Sequence, residues 1–224
     1  MTEITAGTRL CAVPLILVPG LITLAVTILR LVGELNHWSS TWFNPAPGGF
    51  GAIVGIVWLV PIFGIYFALR LAAAGQEPAQ AGRAVGYAVL GFVILAGGFL
   101  LFQLVLKDRK GLVLMWALAA FGGALQLYGW RELGKVLAGY AYAARVPVAM
   151  VMLFATRGGW ETHYTALAMP GSELGWVTQY FLFGFFPQLV WWVGFTIVVG
   201  SVFGSIATAL ARRYQPPRPA PGPS

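Results

Sequence analysis

Long apolar stretches that hold almost no charge dominate this sequence, and they exclude most soluble folds. A bilayer core of about 30 Å takes about 20 residues of α-helix, and six stretches are long enough. The predicted spans are residues 10–32, 50–73, 84–106, 111–129, 133–156 and 188–211. Because the apolar runs are continuous rather than alternating, and because hydrocarbon satisfies no backbone polar group, we predict helices and not a barrel.

The composition supports the same fold class. Apolar residues make up 58% of the 224 residues and charged residues only 9%, whereas an ordinary globular domain has about 25% charged residues. So few charges cannot cover a surface in water, but lipid can cover it instead. We therefore predict an all-α, polytopic transmembrane helical bundle in a single domain, residues 1–211, with the lipid bilayer as its first partner. Residues 212–224 form a basic, proline-rich tail that is predicted to be disordered.

The positive charges predict how the chain is threaded. The net charge is +7, and the cations lie mostly at the ends of apolar runs, where insertion topology and anionic headgroups require them. Nucleic acid is therefore not a predicted partner. Most Lys and Arg fall on the inner side if both termini are cytoplasmic, in a bacterial-type inner membrane. The turn with Lys107, Arg109 and Lys110 opposes this topology, and the conflict would disappear if residues 133–156 did not cross.

Two connections on the same predicted outer face are rich in Trp, Tyr and Phe, which prefer the boundary between membrane and water. They are residues 33–49 and 157–187. In the second connection, Ser172 is a predicted N-cap for a helix that runs through Trp176 and Tyr180 to a break at Pro187. This pattern predicts an interfacial aromatic helix before the last span.

Small residues four positions apart predict close packing between helices. Gly51 and Gly55 have this spacing in the second predicted span, and Gly200 and Gly204 have it in the last. The simpler interpretation is packing within the bundle. The alternative is that the Gly-rich last span forms a homo-oligomer or binds partner membrane subunits.

Three arginines are candidates for holding an anion. Arg145 falls in the fifth predicted span with no carboxylate inside any span to pair with it, and a charge at that depth costs at least about 2.5–3.5 kcal/mol. Its alternative is an amphipathic inner-face helix from which Arg145 reaches the phosphates. Arg30 and Arg157 end apolar runs, where they reach headgroups or help to bind an anionic ligand.

Two histidines and two glutamates form a weaker candidate catalytic set. His37 and His163 are the two histidines of the chain, and Glu34 and Glu161 accompany them on the same predicted side. Imidazole and carboxylate can transfer protons or bind transition metals. No His-Glu-x-x-His spacing occurs, so no metal site is predicted, and interfacial packing with helix capping explains the same residues.

Two function hypotheses remain. The first is a non-catalytic integral membrane protein, either an accessory subunit of a larger membrane complex or a small transporter or channel protomer. The second is a membrane-embedded enzyme that acts at the outer interface on a lipid-like substrate. No Walker A motif and no Gly-x-Ser-x-Gly motif occurs in the sequence, and no cofactor is assigned.

Overall fold

Helices account for nearly all regular structure in the computed structural model, which describes residues 12–46, 52–166 and 174–213. No strand occurs among these residues, so the predicted all-α fold class is confirmed. Six helices follow one another within these described ranges. They are α1 Ala12–Leu35, α2 Leu59–Ala73, α3 Ala81–Leu104, α4 Arg109–Gly129, α5 Arg131–Gly158 and α6 Trp176–Arg213.

Five of the six helices are long and apolar enough to cross a membrane, and α2 is shorter. The 15 residues of α2 rise about 22 Å, which is less than the core of about 30 Å. Large apolar side chains are exposed along the bundle surface, for example Val13, Leu17 and Phe92. In water this surface would be costly, whereas lipid covers it.

The second predicted span, residues 50–73, is wrong in its first part because the helix begins only at Leu59. Two backbone N–H groups before it are taken by the preceding connection: Ile53 donates to the carbonyl of Thr41, and Val54 donates to that of Trp42. Gly55 is therefore not in a helix, and Gly51 lies outside the described residues. The predicted helix contact through Gly51 and Gly55 is not formed at Gly55.

The fifth predicted span is a complete helix. α5 has 28 residues, which rise about 42 Å, so Arg145 lies within a helix long enough to span. Arg145 is buried inside the bundle, and the amphipathic inner-face alternative for this segment stays a prediction. The other spans start or end a few residues from the predicted bounds; α4, for instance, begins after Asp108, whose side chain accepts a hydrogen bond from the Gly111 N–H.

The aromatic segment before the last span is helical, and it is continuous with that span instead of ending at Pro187. α6 continues through Pro187 into the last span. Pro187 has no N–H to donate, and π-helical turns on both sides absorb the defect: Phe186 N–H donates to Phe181 O, and Trp192 N–H donates to Pro187 O. Arg212 and Arg213 belong to α6 rather than to the tail, and Ser172 and residues 214–224 lie outside the described residues.

α6 is the central helix of the bundle and packs closely on α2 through glycines. A Cβ atom at Gly64 would lie 2.5 Å from the Gly200 carbonyl oxygen, and one at Gly204 would lie 2.6 Å from the Gly64 carbonyl oxygen. Gly200 and Gly204 are buried in this contact. Both glycines therefore contribute to packing between α2 and α6, and association of the last span with another chain stays a prediction.

α1 lies along α5 and runs parallel to it. Ile16 contacts Gly139 and Gly20 faces Ala143, so both pairs advance in the same direction. Between them the Tyr140 hydroxyl and Thr23 Oγ1 are 2.8 Å apart, and Thr23 also donates to the Pro19 carbonyl. This contact fixes the height of α1 against α5 and thereby the height of the polar residues at the carboxyl end of α1.

Candidate functional site

An ion pair is buried near the carboxyl end of α1. Arg30 and Glu34 are four residues apart, which places them on the same helix face. Arg30 Nε donates to Glu34 Oε1 over 2.7 Å, and the two side chains are 7% and 0% exposed. Arg30 Nη2 also donates to the Asn44 carbonyl at 2.9 Å. A buried carboxylate needs such partners, because an unpaired one is strongly destabilising.

His163 completes this cluster from the connection after α5. Its backbone N–H donates to Glu34 Oε2 at 2.9 Å, and its Nδ1 lies 2.7 Å from Oε1 and 2.8 Å from Oε2. An ionised Glu34 accepts, so Nδ1 carries the proton and Nε2 of the neutral ring is left as an acceptor. Nε2 makes no hydrogen bond with the residues that the structure describes.

A tight turn places His163 in this position. Gly159 ends α5 in the left-handed region, at φ 63°, which glycine adopts without strain. The turn that follows is held by the Thr165 hydroxyl, which donates to the carbonyls of Trp160 and Thr162. The connection therefore folds back over the end of α5 and directs residue 163 towards α1.

The surroundings of His163 hold its imidazole in the neutral form. Burial lowers the pKa of His163 from its ordinary value, and the Arg30 guanidinium lowers it further, although the contacts with Glu34 act in the opposite direction. Burial, together with the Glu34 carboxylate, raises the pKa of the neighbouring Tyr164. The Tyr164 phenol therefore stays protonated at neutral pH.

Arg145 is a buried cation with poor compensation. It is 4% exposed, and its Nε has no hydrogen-bond partner. Nη1 reaches Gln188 Oε1 at 3.4 Å, which is a long hydrogen bond, and the guanidinium carbon lies 4.6 Å from the centre of the Trp192 ring. No carboxylate pairs with Arg145 in the part of the chain that the structure describes. An amide and an aromatic face only partly replace the hydration that the charge has lost.

Arg30, Arg145, His163 and Tyr164 line one cavity of about 80 Å³. One ordered water needs roughly 10–15 Å³ of free space, so a few waters or one small anion fit there. The cavity lies between α1, α5, α6 and the segment before α2. Its polar lining residues are Thr27, Arg30, Arg145, His163, Tyr164 and Gln188, and its apolar lining includes Ile56, Val57, Val148, Met152 and Trp192.

The sequence-based candidates divide into two groups. Arg30, Arg145 and His163 line the cavity, and Glu34 pairs with Arg30 and His163 beside it. His37, Glu161 and Arg157 are exposed and do not line it. Among the described residues, no three His, Cys, Asp or Glu side chains are close enough to hold a metal ion.

Sequence reasoning did not single out three residues that line the cavity. Gln188, Tyr164 and Thr27 lie within apolar or aromatic stretches of the sequence. Gln188 had a usable signal, since an amide inside an apolar run needs a polar partner. Gly55 also has a role here, because a Cβ atom on it would lie 3.2 Å from Arg30 Nη1. The absence of a side chain leaves room for that guanidinium.

The long apolar helices and the polar cavity between them fit a multi-pass α-helical membrane protein. Comparisons with models of protein families, with curated proteins and with solved structures gave no match to this chain.

Proposed function

We propose that this protein binds a small anion in the cavity between α1, α5 and α6 and carries it across the membrane. The observation that supports the proposal is Arg145, a buried cation that lines the cavity without a carboxylate partner among the described residues. A bound anion would supply the negative charge that Arg145 lacks and would accept a hydrogen bond from its Nε–H.

The rest of the cavity supports an anion as well. Arg30 lines the same cavity, and its charge is already balanced by Glu34. The cavity therefore has one net positive charge when His163 is neutral. The Tyr164 phenol and the Gln188 amide are further groups that can donate hydrogen bonds to an oxygen ligand.

The test combines binding with flux. Purified protein is titrated with nitrate, and liposomes that contain it are assayed for nitrate efflux. We expect Arg145→Gln to weaken binding at least about tenfold, because a charge-assisted hydrogen bond contributes about 1.5–3 kcal/mol, and to slow efflux in parallel. Arg157→Gln is the matched control, since that arginine is exposed. Equal binding by both variants would refute the anion site, and binding without flux would refute transport.

A second function, a membrane-embedded enzyme for a lipid-like substrate, is supported by the contact between Glu34 and His163. A carboxylate that holds Nδ1–H orients an imidazole so that Nε2 can act as a general base. Release of product from lipid esters in detergent micelles would test this function. Loss of that activity in His163→Gln, with His37→Gln unchanged, is the expected result.

We further propose that both termini are on the cytoplasmic side. Two contacts support a common side for them: Arg212 pairs with Glu77 after α2, and the Trp130 indole donates to the Gln76 carbonyl before α5. The start of α5 and the end of α6 therefore both lie near the α2–α3 connection. Because α1 runs parallel to α5, the start of α1 lies on the same side.

The alternative to transport, an accessory subunit of a larger membrane complex, predicts that other chains co-purify in mild detergent.

A further inference from the structure

The charged and titratable groups around His163 come from three parts of the chain. α1 contributes the charged side chains of Arg30 and Glu34, and α5 contributes that of Arg145. The connection after α5 contributes the neutral phenol of Tyr164. The residues that α6 and the segment before α2 place in the cavity carry no charge; they are Phe183, Pro187, Gln188, Trp192, Ile56 and Val57.

The charges of Arg30 and Glu34 balance each other, so the empty cavity has a net charge of +1 from Arg145. Protonation of His163 raises this net charge to +2. An anion with one charge neutralises Arg145 alone. A dianion leaves an excess negative charge in a buried site, and that excess is costly unless a proton joins it.

His163 is placed to take this proton. Glu34 holds Nδ1, so the added proton goes to Nε2, and His163 itself lines the cavity. The charged imidazolium would then lie between the Glu34 carboxylate on one side and the ligand on the other. Both contacts stabilise the charged form, whereas in the free protein Arg30 opposes it.

We infer that the cavity takes up a dianionic oxyanion of the sulfate or phosphate-monoester type together with one proton, which His163 receives on Nε2. This inference rests on the proposed anion site and specifies its ligand class. The coupling is reciprocal: the dianion raises the proton affinity of His163, and the proton raises the affinity for the dianion. The dianion and the proton together have a net charge of −1, which balances the positive charge of Arg145.

Sulfate is the suitable probe, because it keeps both charges across the range in which histidine titrates, between about pH 5 and 8. Calorimetric titration of the purified full chain, in two buffers of different ionisation enthalpy, counts the protons taken up per sulfate. We expect close to one proton in the wild-type protein near neutral pH. Sulfate affinity should rise up to about tenfold for each pH unit lowered, whereas nitrate affinity should change little.

His163→Gln removes the titrating group and keeps a donor for Glu34. It should weaken sulfate binding more than nitrate binding, and it should take up no proton. His37→Gln is the control, since it changes the other histidine, which is exposed. Proton uptake that persists in His163→Gln, or sulfate affinity that does not vary with pH in the wild-type protein, would overturn the inference.

The two proposals fail in different ways. If Arg145→Gln leaves both nitrate and sulfate binding unchanged, the anion site itself is wrong. If Arg145→Gln abolishes binding but the wild-type protein takes up no proton with sulfate, only the coupling is wrong.

Nanodiscs that contain phosphatidic acid distinguish the two sources of a phosphate-type dianion. Competition between phosphatidic acid and sulfate assigns the site to a lipid headgroup, and absence of competition assigns it to a free anion. Proton uptake is expected with either ligand.

Discussion

His163 Nδ1 lies 2.7 Å from Oε1 of Glu34, although the two residues are 129 positions apart in the sequence. This contact joins the end of α1 to the connection after α5. It also places an imidazole beside a cavity that contains an uncompensated arginine. Single substitutions can separate the structural role of this cluster from its role in binding.

Glu34→Gln should destabilise the protein. The change leaves Arg30 without its ion pair in a buried position, and breaking a buried pair typically costs about 3–5 kcal/mol. Thermal unfolding in detergent should show a clear fall in Tm. Glu161→Gln, at an exposed carboxylate, should leave Tm unchanged, and a similar loss in both variants would contradict the assigned role of Glu34.

Arg145→Met should affect stability in the opposite direction. The arginine is buried with one long hydrogen bond and an orphaned Nε, so an apolar side chain of similar length removes a desolvation cost. We expect a gain on the order of 1 kcal/mol, together with loss of anion binding. A marked fall in Tm would indicate that Arg145 is held by stronger contacts than the described residues provide.

Gly204→Ala should weaken the contact between α2 and α6. The new Cβ atom would lie 2.6 Å from the backbone oxygen of Gly64, and backbone cannot move aside as a side chain can. A cost of about 1–3 kcal/mol is expected. The matched change is Gly97→Ala in α3, where nothing lies within 4 Å. There alanine should stabilise the helix by up to about 1 kcal/mol.

The free energy of unfolding should depend on pH through His163. Its pKa in the folded protein is lowered from the ordinary value of 6.5, so the unfolded chain binds more protons as the pH falls below that value. Stability is therefore full above about pH 6.5 and declines as the pH falls towards the lower folded pKa. Chemical unfolding at a series of pH values measures this slope. His163→Gln should remove it, and saturating sulfate should reduce it.

Cysteine labelling can test the topology, because Cys11 is the single native cysteine. In a Cys11→Ser background, one new cysteine is placed at Ser224 or, in a second variant, at Asn36. With cytoplasmic termini, a thiol reagent that cannot cross membranes should label the Asn36 variant in intact cells and the Ser224 variant only after lysis. The reverse pattern would invert the proposed topology.

The length of the apolar stretches predicted the helical bundle well, because the formation of a membrane helix depends mainly on local apolar burial and backbone hydrogen bonding. It failed where tertiary contacts compete with that balance. Residues 52–58 are apolar enough for a helix, yet Ile53 and Val54 bond to the preceding connection instead. At Pro187 the usual rule of helix termination failed because π-helical turns absorbed the missing donor.

The site was predictable in its residue types but not in its pairing. Arg145 could be singled out because it is a charged residue inside a predicted span, and Arg30 and Glu34 are four residues apart in the sequence. Nothing local distinguished His163 from His37, because the difference arises from the turn at Gly159 that brings one imidazole to Glu34. A cavity belongs to several helices at once, and no single segment of sequence contains it.

The π-helical turns of α6 also determine how tolerant this helix is of changes in length. Each residue of an α-helix turns the next side chain by about 100°, and a bond that reaches five residues back accommodates an additional residue without ending the helix. Deleting one codon between Tyr180 and Trp191 would therefore remove one additional residue and let the backbone relax to regular winding, while the aromatic half, from Trp176 onwards, kept its orientation against the half that follows Trp192. Gln188 and Trp192 are four residues apart, so regular winding would keep both on one helix face, and the guanidinium of Arg145 would keep its contacts with them.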